Sequence, residues 1–189
     1  MRTGASGVQR SDGKCHTGRV SKHGAKRHAE HASTPAVAVL LAAGIAHTLH
    51  PYDHDPDSDL SYGLEAARAI GIDAAQVFKT LCVYADGALA MGVVPVDHTL
   101  DTKAIAHALG AKKAQMALAA DAERATGYVV GGISPLGGKR QLPLVLHDSA
   151  LGLSAIYVSG GRRGFDIGLA PTDLVAVTGG SIAPIAKES

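Results

Sequence analysis

Apolar positions along this chain switch repeatedly between helical spacing and alternation. Order is expected to begin at Thr34-Pro35, an N-cap residue followed by proline at the first helical position, with the apolar run Val37 to Ala43 stopping at Gly44. His47 to Tyr52 predicts a short strand that opens into the loop Asp53-His54-Asp55-Pro56-Asp57-Ser58-Asp59. Helical spacing returns from Tyr62 to Ile70 and ends at Gly71. Gln76 to Tyr84 and Ala88 to Pro95, joined through Ala85-Asp86-Gly87, predict a hairpin. Asp101 caps a helix that runs to Leu109 and closes at Gly110, and Lys112 to Thr126 holds a further short helical segment ending at Gly127. Leu142–His147, Ser154–Ser159 and Phe165–Leu169 read as strands, and Pro171-Thr172-Asp173 starts a last helix that Gly179-Gly180 ends. Residues 34–189 therefore read as one α/β domain.

Three places interrupt this pattern. Gly127 to Arg140 (GYVVGGISPLGGKR) is expected to leave a strand at Tyr128-Val129-Val130 and become a basic loop. Gly131 and Gly132 remove side chains where a backbone N–H could face a ligand, Ser134 offers a hydroxyl, Pro135 fixes the exit, and Gly137-Gly138 deliver Lys139 and Arg140. Bare amides beside two cations suit a substrate with a carbonyl and a phosphate. Ser159-Gly160-Gly161-Arg162-Arg163-Gly164 is a second Gly-rich basic turn, and the two turns are expected to share one cleft. The third interruption is Lys79, which alternation places in a row with Val77, Leu81 and Val83. An ammonium in an apolar row must snorkel to the rim or meet an anion. Cys82, in the opposite row with Phe78, is expected to be a buried hydrophobe.

Charge divides the chain. Residues 1–33 carry seven Lys/Arg against Asp12 and Glu30, and the rest carries eleven Lys/Arg against fifteen Asp/Glu. The first segment reads as a disordered basic tail, and the body offers no broad basic field for nucleic acid, DNA included. Tryptophan is absent, so small side chains must fill the core. Cys15 and Cys82 lie in unlike settings, which argues against a disulfide framework and fits a reducing cytoplasm. No apolar run reaches the roughly 20 residues of a membrane span. The alternating aspartates 53, 55, 57 and 59 lack the glycine and glutamate of a calcium loop, and no Ser-His-Asp, HExxH or Cys-His spacing is apparent.

FKTL at Phe78–Leu81, TGYVVGGISPLG at Thr126–Gly137, IYVSGGRRG at Ile156–Gly164 and HPYDHD at His50–Asp55 together resemble the YbaK/EbsC family of aminoacyl-tRNA deacylases. The resemblance runs from about Thr34 to Ala186. It implies a single α/β domain with a mixed, partly barrelled sheet flanked by helices, similar to the editing domain inserted in prolyl-tRNA synthetases. The implied activity is hydrolytic removal of a wrongly attached amino acid, chiefly cysteine, from tRNA(Pro), with prolyl-tRNA synthetase as a partner and with no cofactor or metal.

Residue by residue, the resemblance implies that Lys79 binds the terminal adenosine or phosphate of the acylated CCA end. Gly131, Gly132, Ile133, Ser134 and Pro135 would surround the aminoacyl ester, with loop amides stabilising an oxyanion. Tyr52 and Asp53 would line the same pocket, and Asp166 would follow the second turn, which supplies Ser159, Gly160 and Gly161. The family mechanism implied here uses the thiol of the bound cysteine to attack its own ester, the protein supplying orientation and oxyanion stabilisation. Competing readings are a binding module without catalysis, a deacylase acting on Ala-tRNA(Pro), and a metal-dependent hydrolase using His50, His54 and the aspartates. The tail, Leu64 in a place where an acid is common, and the glycine-rich Val177–Ile182 depart from the family pattern.

Overall fold

A computed structural model describes residues 34–188, so the tail expected over residues 1–33 lies outside the described residues. Helix α1 (Pro35–Ala43) begins where Thr34 Oγ1 accepts the Val37 amide and ends at Gly44, whose left-handed backbone closes the cap. Strand β1 (His47–Pro51), helix α2 (Tyr62–Ile70) and the hairpin of β2 (Val77–Ala85) and β3 (Ala88–Pro95) follow. Next come β4 (His98–Leu100), α3 (Thr102–Ala108), β5 (Ala114–Met116) and α4 (Ala119–Thr126). The chain ends with β6 (Leu144–His147), β7 (Ile156–Arg162), β8 (Phe165–Leu169), α5 (Pro171–Thr178), β9 (Ser181–Ala183) and β10 (Ala186–Glu188).

The main sheet is mixed and curled into a half-barrel, in the order β1-β8-β7-β2-β3-β6-β9. Pairs β2/β7, β3/β6 and β6/β9 are parallel, and β1/β8, β7/β8 and β2/β3 are antiparallel. Alternation sends Phe78, Cys82, Met91, Val93, Val158 and Ile167 to one face, where α1, α4 and α5 bury them. On the other face, α2 covers Val77 and Val96, and Ile105 of α3 packs with Val83, Val94 and Ile185.

Two expectations need correction. Tyr128–Val130 is not a strand: the Tyr128 side chain is buried with its hydroxyl donating to the Leu136 carbonyl at 2.8 Å, so the segment folds onto its own loop and pairs with no neighbour. The strand expected to stop at Ser159 starts at Ile156 and continues through Gly160 and Gly161 to Arg162, with an irregular register opposite β8 between Ser159 and Arg162. Part of what reads as a glycine-rich turn is thus bulged strand. The last helix ends at Gly179, as the Gly179-Gly180 pair leads one to expect, and β9 follows from Ser181 to pair with β6.

Candidate active site

The site grows out of a break in the sheet. The edge of β2 that faces away from β3 is shared by two neighbours, β7 beside Val77 and Phe78, and β5 beside Val83 to Ala85. Between them the edge is unpaired, and there a cavity of about 370 Å³ opens. Its walls come from the beginning of α2, the loop before α4, α4 itself, the Gly131 loop and the β7/β8 pair.

Lys79 stands on the face that also carries Ser159, Asp166 and His50: the Val77–Tyr157 pairing puts Lys79 and Ser159 on one face by alternation, and Ser159 and His50 are the register partners of Asp166 on either side. Its ammonium both reaches the rim and finds a partner, donating to the Val96 carbonyl at 3.1 Å. Partial burial lowers the Lys79 pKa, and the Asp97 carboxylate opposes that shift. Asp166, 5% exposed, lines the cavity, and burial pushes its carboxyl up to about 7. The Tyr52 phenol lies in the same cavity, its pKa raised by burial first and then by the Asp166 charge.

Of the loop residues, Gly131 and Ile133 line the cavity. Gly131 has φ +85°, and a Cβ there would lie 2.8 Å from the Tyr62 ring. Gly132 plays a packing part. A Cβ on it would lie 2.7 Å from the Arg162 backbone, and its amide already donates to the Val129 carbonyl at 2.9 Å. Ser134 is fully buried, and its hydroxyl accepts the Leu136 amide at 3.3 Å within the loop. Ser159 lines the cavity and accepts the Gly161 amide, whereas Gly160 and Gly161 make room for the Phe165 and Tyr128 rings.

Asp53, Lys139 and Arg140 are not part of this wall. The Lys139 and Arg140 amides donate back to Thr126 and Ala125, and Pro135 and Arg140 line a separate hollow of about 240 Å³ beside Val39 and Val177. The two basic turns meet, but through Arg163: its guanidinium donates twice to the Val130 carbonyl, at 3.1 and 2.8 Å, and lies 4.8 Å above the Tyr62 ring.

Tyr62, Arg163, Thr80 and Glu65 were not singled out by sequence reasoning. Arg163 was signalled by the paired arginines of the second turn. Tyr62 looked like an ordinary helix start. Glu65, one residue after Leu64, is buried on α2 and holds the aspartate loop through His54 Nδ1 at 2.8 Å and the Asp55 amide at 2.6 Å. That bond occupies His54, while His50 bonds Thr48 at 2.7 Å. Among the described residues no three His, Cys, Asp or Glu side chains converge as a metal site. Burial pushes the Cys82 thiol up to about 11, far from an activated nucleophile.

The aminoacyl-tRNA editing domain profile matches residues 61–177. Over 120 residues, 63% of this chain and 73% of the relative, the sequence is 41% identical to EbsC of Enterococcus faecalis, named as a candidate Cys-tRNA(Pro)/Cys-tRNA(Cys) deacylase. A proline–tRNA ligase of Acidithiobacillus ferrooxidans is 36% identical over 90 residues, 48% of this chain and 16% of the ligase. Among solved structures, one described only as a hypothetical protein superposes with a TM-score of 0.72 at 25% identity, covering 81% of this chain and 99% of that one. A second, described as a candidate trans-editing enzyme for prolyl-tRNA synthetase, gives 0.69 at 22% identity over 81% and 95% of the two chains and shares the fold. With the profile, the relative and the fold in agreement, the chain belongs to the aminoacyl-tRNA editing domain family.

Proposed function

We propose that this protein is a trans-acting deacylase that removes cysteine from mischarged tRNA(Pro). The observation that carries the reading is convergence: Lys79 from the FKTL motif, Gly131 from the glycine loop and Asp166 after the second turn meet at one cavity on the open edge of β2. Lys79 takes the terminal phosphate or adenosine, the Gly131 side of the loop faces the ester carbonyl, and Tyr52, Ser159 and Asp166 line the substrate. The oxyanion role assigned to the loop rests on Gly131, since the Gly132 amide is already bonded.

Chemistry then comes from the substrate. The cysteine sulfur attacks its own ester carbonyl, a C–S bond forms, the C–O bond to the ribose breaks, and the thiol proton ends on the departing ribose oxygen. Water subsequently opens the thiolactone. Holding thiol and ester in attack geometry supplies several kcal/mol, as expected of intramolecular reactions. The acceptor end of tRNA(Pro) is the ligand, and prolyl-tRNA synthetase is the partner proposed to deliver it, because the body lacks a broad basic surface. The described residues contain no helix long and apolar enough to cross a membrane, which is compatible with a place in the cytoplasm beside translation.

Release of amino acid from Cys-tRNA(Pro) and Ala-tRNA(Pro), each with and without chelator, tests this. Fast, chelator-resistant loss of cysteine with slow loss of alanine is expected. Equal rates would remove the thiol mechanism, and retention of both amino acids, with prolyl-tRNA synthetase also present, would remove the deacylase reading.

A further inference from the structure

The break in the sheet is centred on a single residue. Met91 donates its amide to Pro143 on the far side of β3, so Met91 and its partner Cys82 turn their main-chain groups away from each other. The Cys82 carbonyl accordingly accepts the Ala117 amide at 3.0 Å on the outer edge. The β2/β3 register is continuous from Phe78 to Ala85, so Thr80, two residues before Cys82, presents both its N–H and its C=O to that same outer edge. Pairing with β7 ends at Phe78 and pairing with β5 begins at Val83, which leaves Thr80 facing the cavity. Thr80 is 9% exposed, and its hydroxyl has no hydrogen-bond partner among the described residues. Buried polar groups in native folds are normally satisfied, so a strand position with an N–H, a C=O and a hydroxyl left over is matched to something the protein binds.

One antiparallel residue pair exchanges two hydrogen bonds, N–H to C=O in each direction. An aminoacyl group is one residue long and carries an α-ammonium donor and a carbonyl acceptor at that spacing. Resting on the deacylase reading above, we infer that Thr80 is a main-chain subsite for the aminoacyl group. The α-ammonium donates to the Thr80 carbonyl, and the acyl carbonyl accepts from the Thr80 N–H. The buried Asp166 carboxyl, lining the same cavity, complements the ammonium. Thr80 then reads the α-amino acid backbone whatever the side chain, and side-chain choice is left to the remaining walls. An acyl group without an α-amino group fills only half of the pair.

The test uses two non-cleavable adenosine conjugates in which a 3′-amide replaces the ester, one carrying cysteine and the other 3-mercaptopropionate. The two share the thiol and the carbonyl and differ only at the α-amino group. Calorimetry on the full chain should show the cysteine conjugate bound about tenfold more tightly, the usual weight of a charge-assisted hydrogen bond. Thr80→Pro removes the outward N–H without touching the β3 ladder and should weaken both conjugates; Leu81→Pro, which removes a ladder N–H, should instead unfold the hairpin. Equal binding of the two conjugates by the wild-type chain, or binding of neither, would overturn the subsite without recourse to any variant. Discrimination between the conjugates together with no turnover of Cys-tRNA(Pro) would keep the subsite and sink the deacylase reading, so the two failures are separable.

Discussion

Lys79 reaches the cavity from a strand held by the β2/β3 ladder, so removing its side chain leaves the sheet intact. Lys79→Ala is expected to lose most turnover of Cys-tRNA(Pro) while its thermal transition stays within a few degrees of the parent; full turnover would take Lys79 out of the site. The adjacent glycines separate on the same two axes. Gly131→Ala strains a φ of +85° and pushes against the Tyr62 ring, which can swing aside, so activity should fall with a stability cost of about 1–2 kcal/mol. Gly132→Ala meets the Arg162 backbone, which cannot yield in that way, and should cost more stability, about 2–4 kcal/mol. Urea unfolding of the two variants, beside their rates, gives the order. Asp166 makes a prediction in pH. Its folded value, about 7, lies above the ordinary aspartate value of 3.8, so the folded state binds the extra proton and stability falls as pH rises from about 4 to 7. Asp166→Asn should flatten that fall, seen as a smaller difference between urea midpoints at pH 5 and pH 8; an unchanged difference would assign the slope to other groups.

Helices and strands of four or more residues were legible in the sequence, and the three-residue strands were not. The hairpin expected at Gln76–Tyr84 and Ala88–Pro95 is found at Val77–Ala85 and Ala88–Pro95, because an Asp-Gly turn between two long apolar runs carries its own register. β4, β5, β9 and β10 are three residues each, too short to show a period, and exist because a neighbouring strand offers an edge. The Gly127–Arg140 stretch shows the opposite failure. Tyr128-Val129-Val130 has strand composition, yet Tyr128 is committed to Leu136 and the two valines are exposed. The cavity's two faces could be read from alternation, but its existence depends on β5 and β7 stopping short of each other on β2, which no local pattern encodes. Arg163 ties the glycine loop to the β7/β8 end, and Arg163→Ala should loosen that loop. A several-fold rise in KM with little change in unfolding midpoint is expected, since the guanidinium is exposed and its bonds are worth about 1 kcal/mol to the fold. An unchanged KM would assign the loop's position to its own packing alone.

For the molecule as a whole, charge and chemistry occupy different parts of the chain. Residues 34–189 are net acidic, while residues 1–33 hold seven of the eighteen Lys/Arg. We propose that the body is the editing domain and the basic segment an arm for RNA. Removing residues 1–33 should weaken tRNA binding and flatten its dependence on salt, by as much as about 0.9 in log–log slope for each duplex phosphate no longer neutralised, while turnover at saturating tRNA holds. An unchanged slope would return the segment to an incidental extension.

The order of strands has a further consequence in time. His47 on β1 pairs with Leu169 on β8, and Val77 on β2 pairs with Tyr157 on β7, so the walls around Asp166 close only when segments some 80 to 120 residues apart find each other. Contacts that distant form late because long loops must close first. The β2/β3 hairpin, by contrast, can form as soon as Pro95 is available. A growing chain released as far as Pro95 therefore has what it needs to place Lys79 on the hairpin, a marginal element by itself, but no chamber around it. The chamber proposed to hold the ester closes only once β7 and β8 have followed.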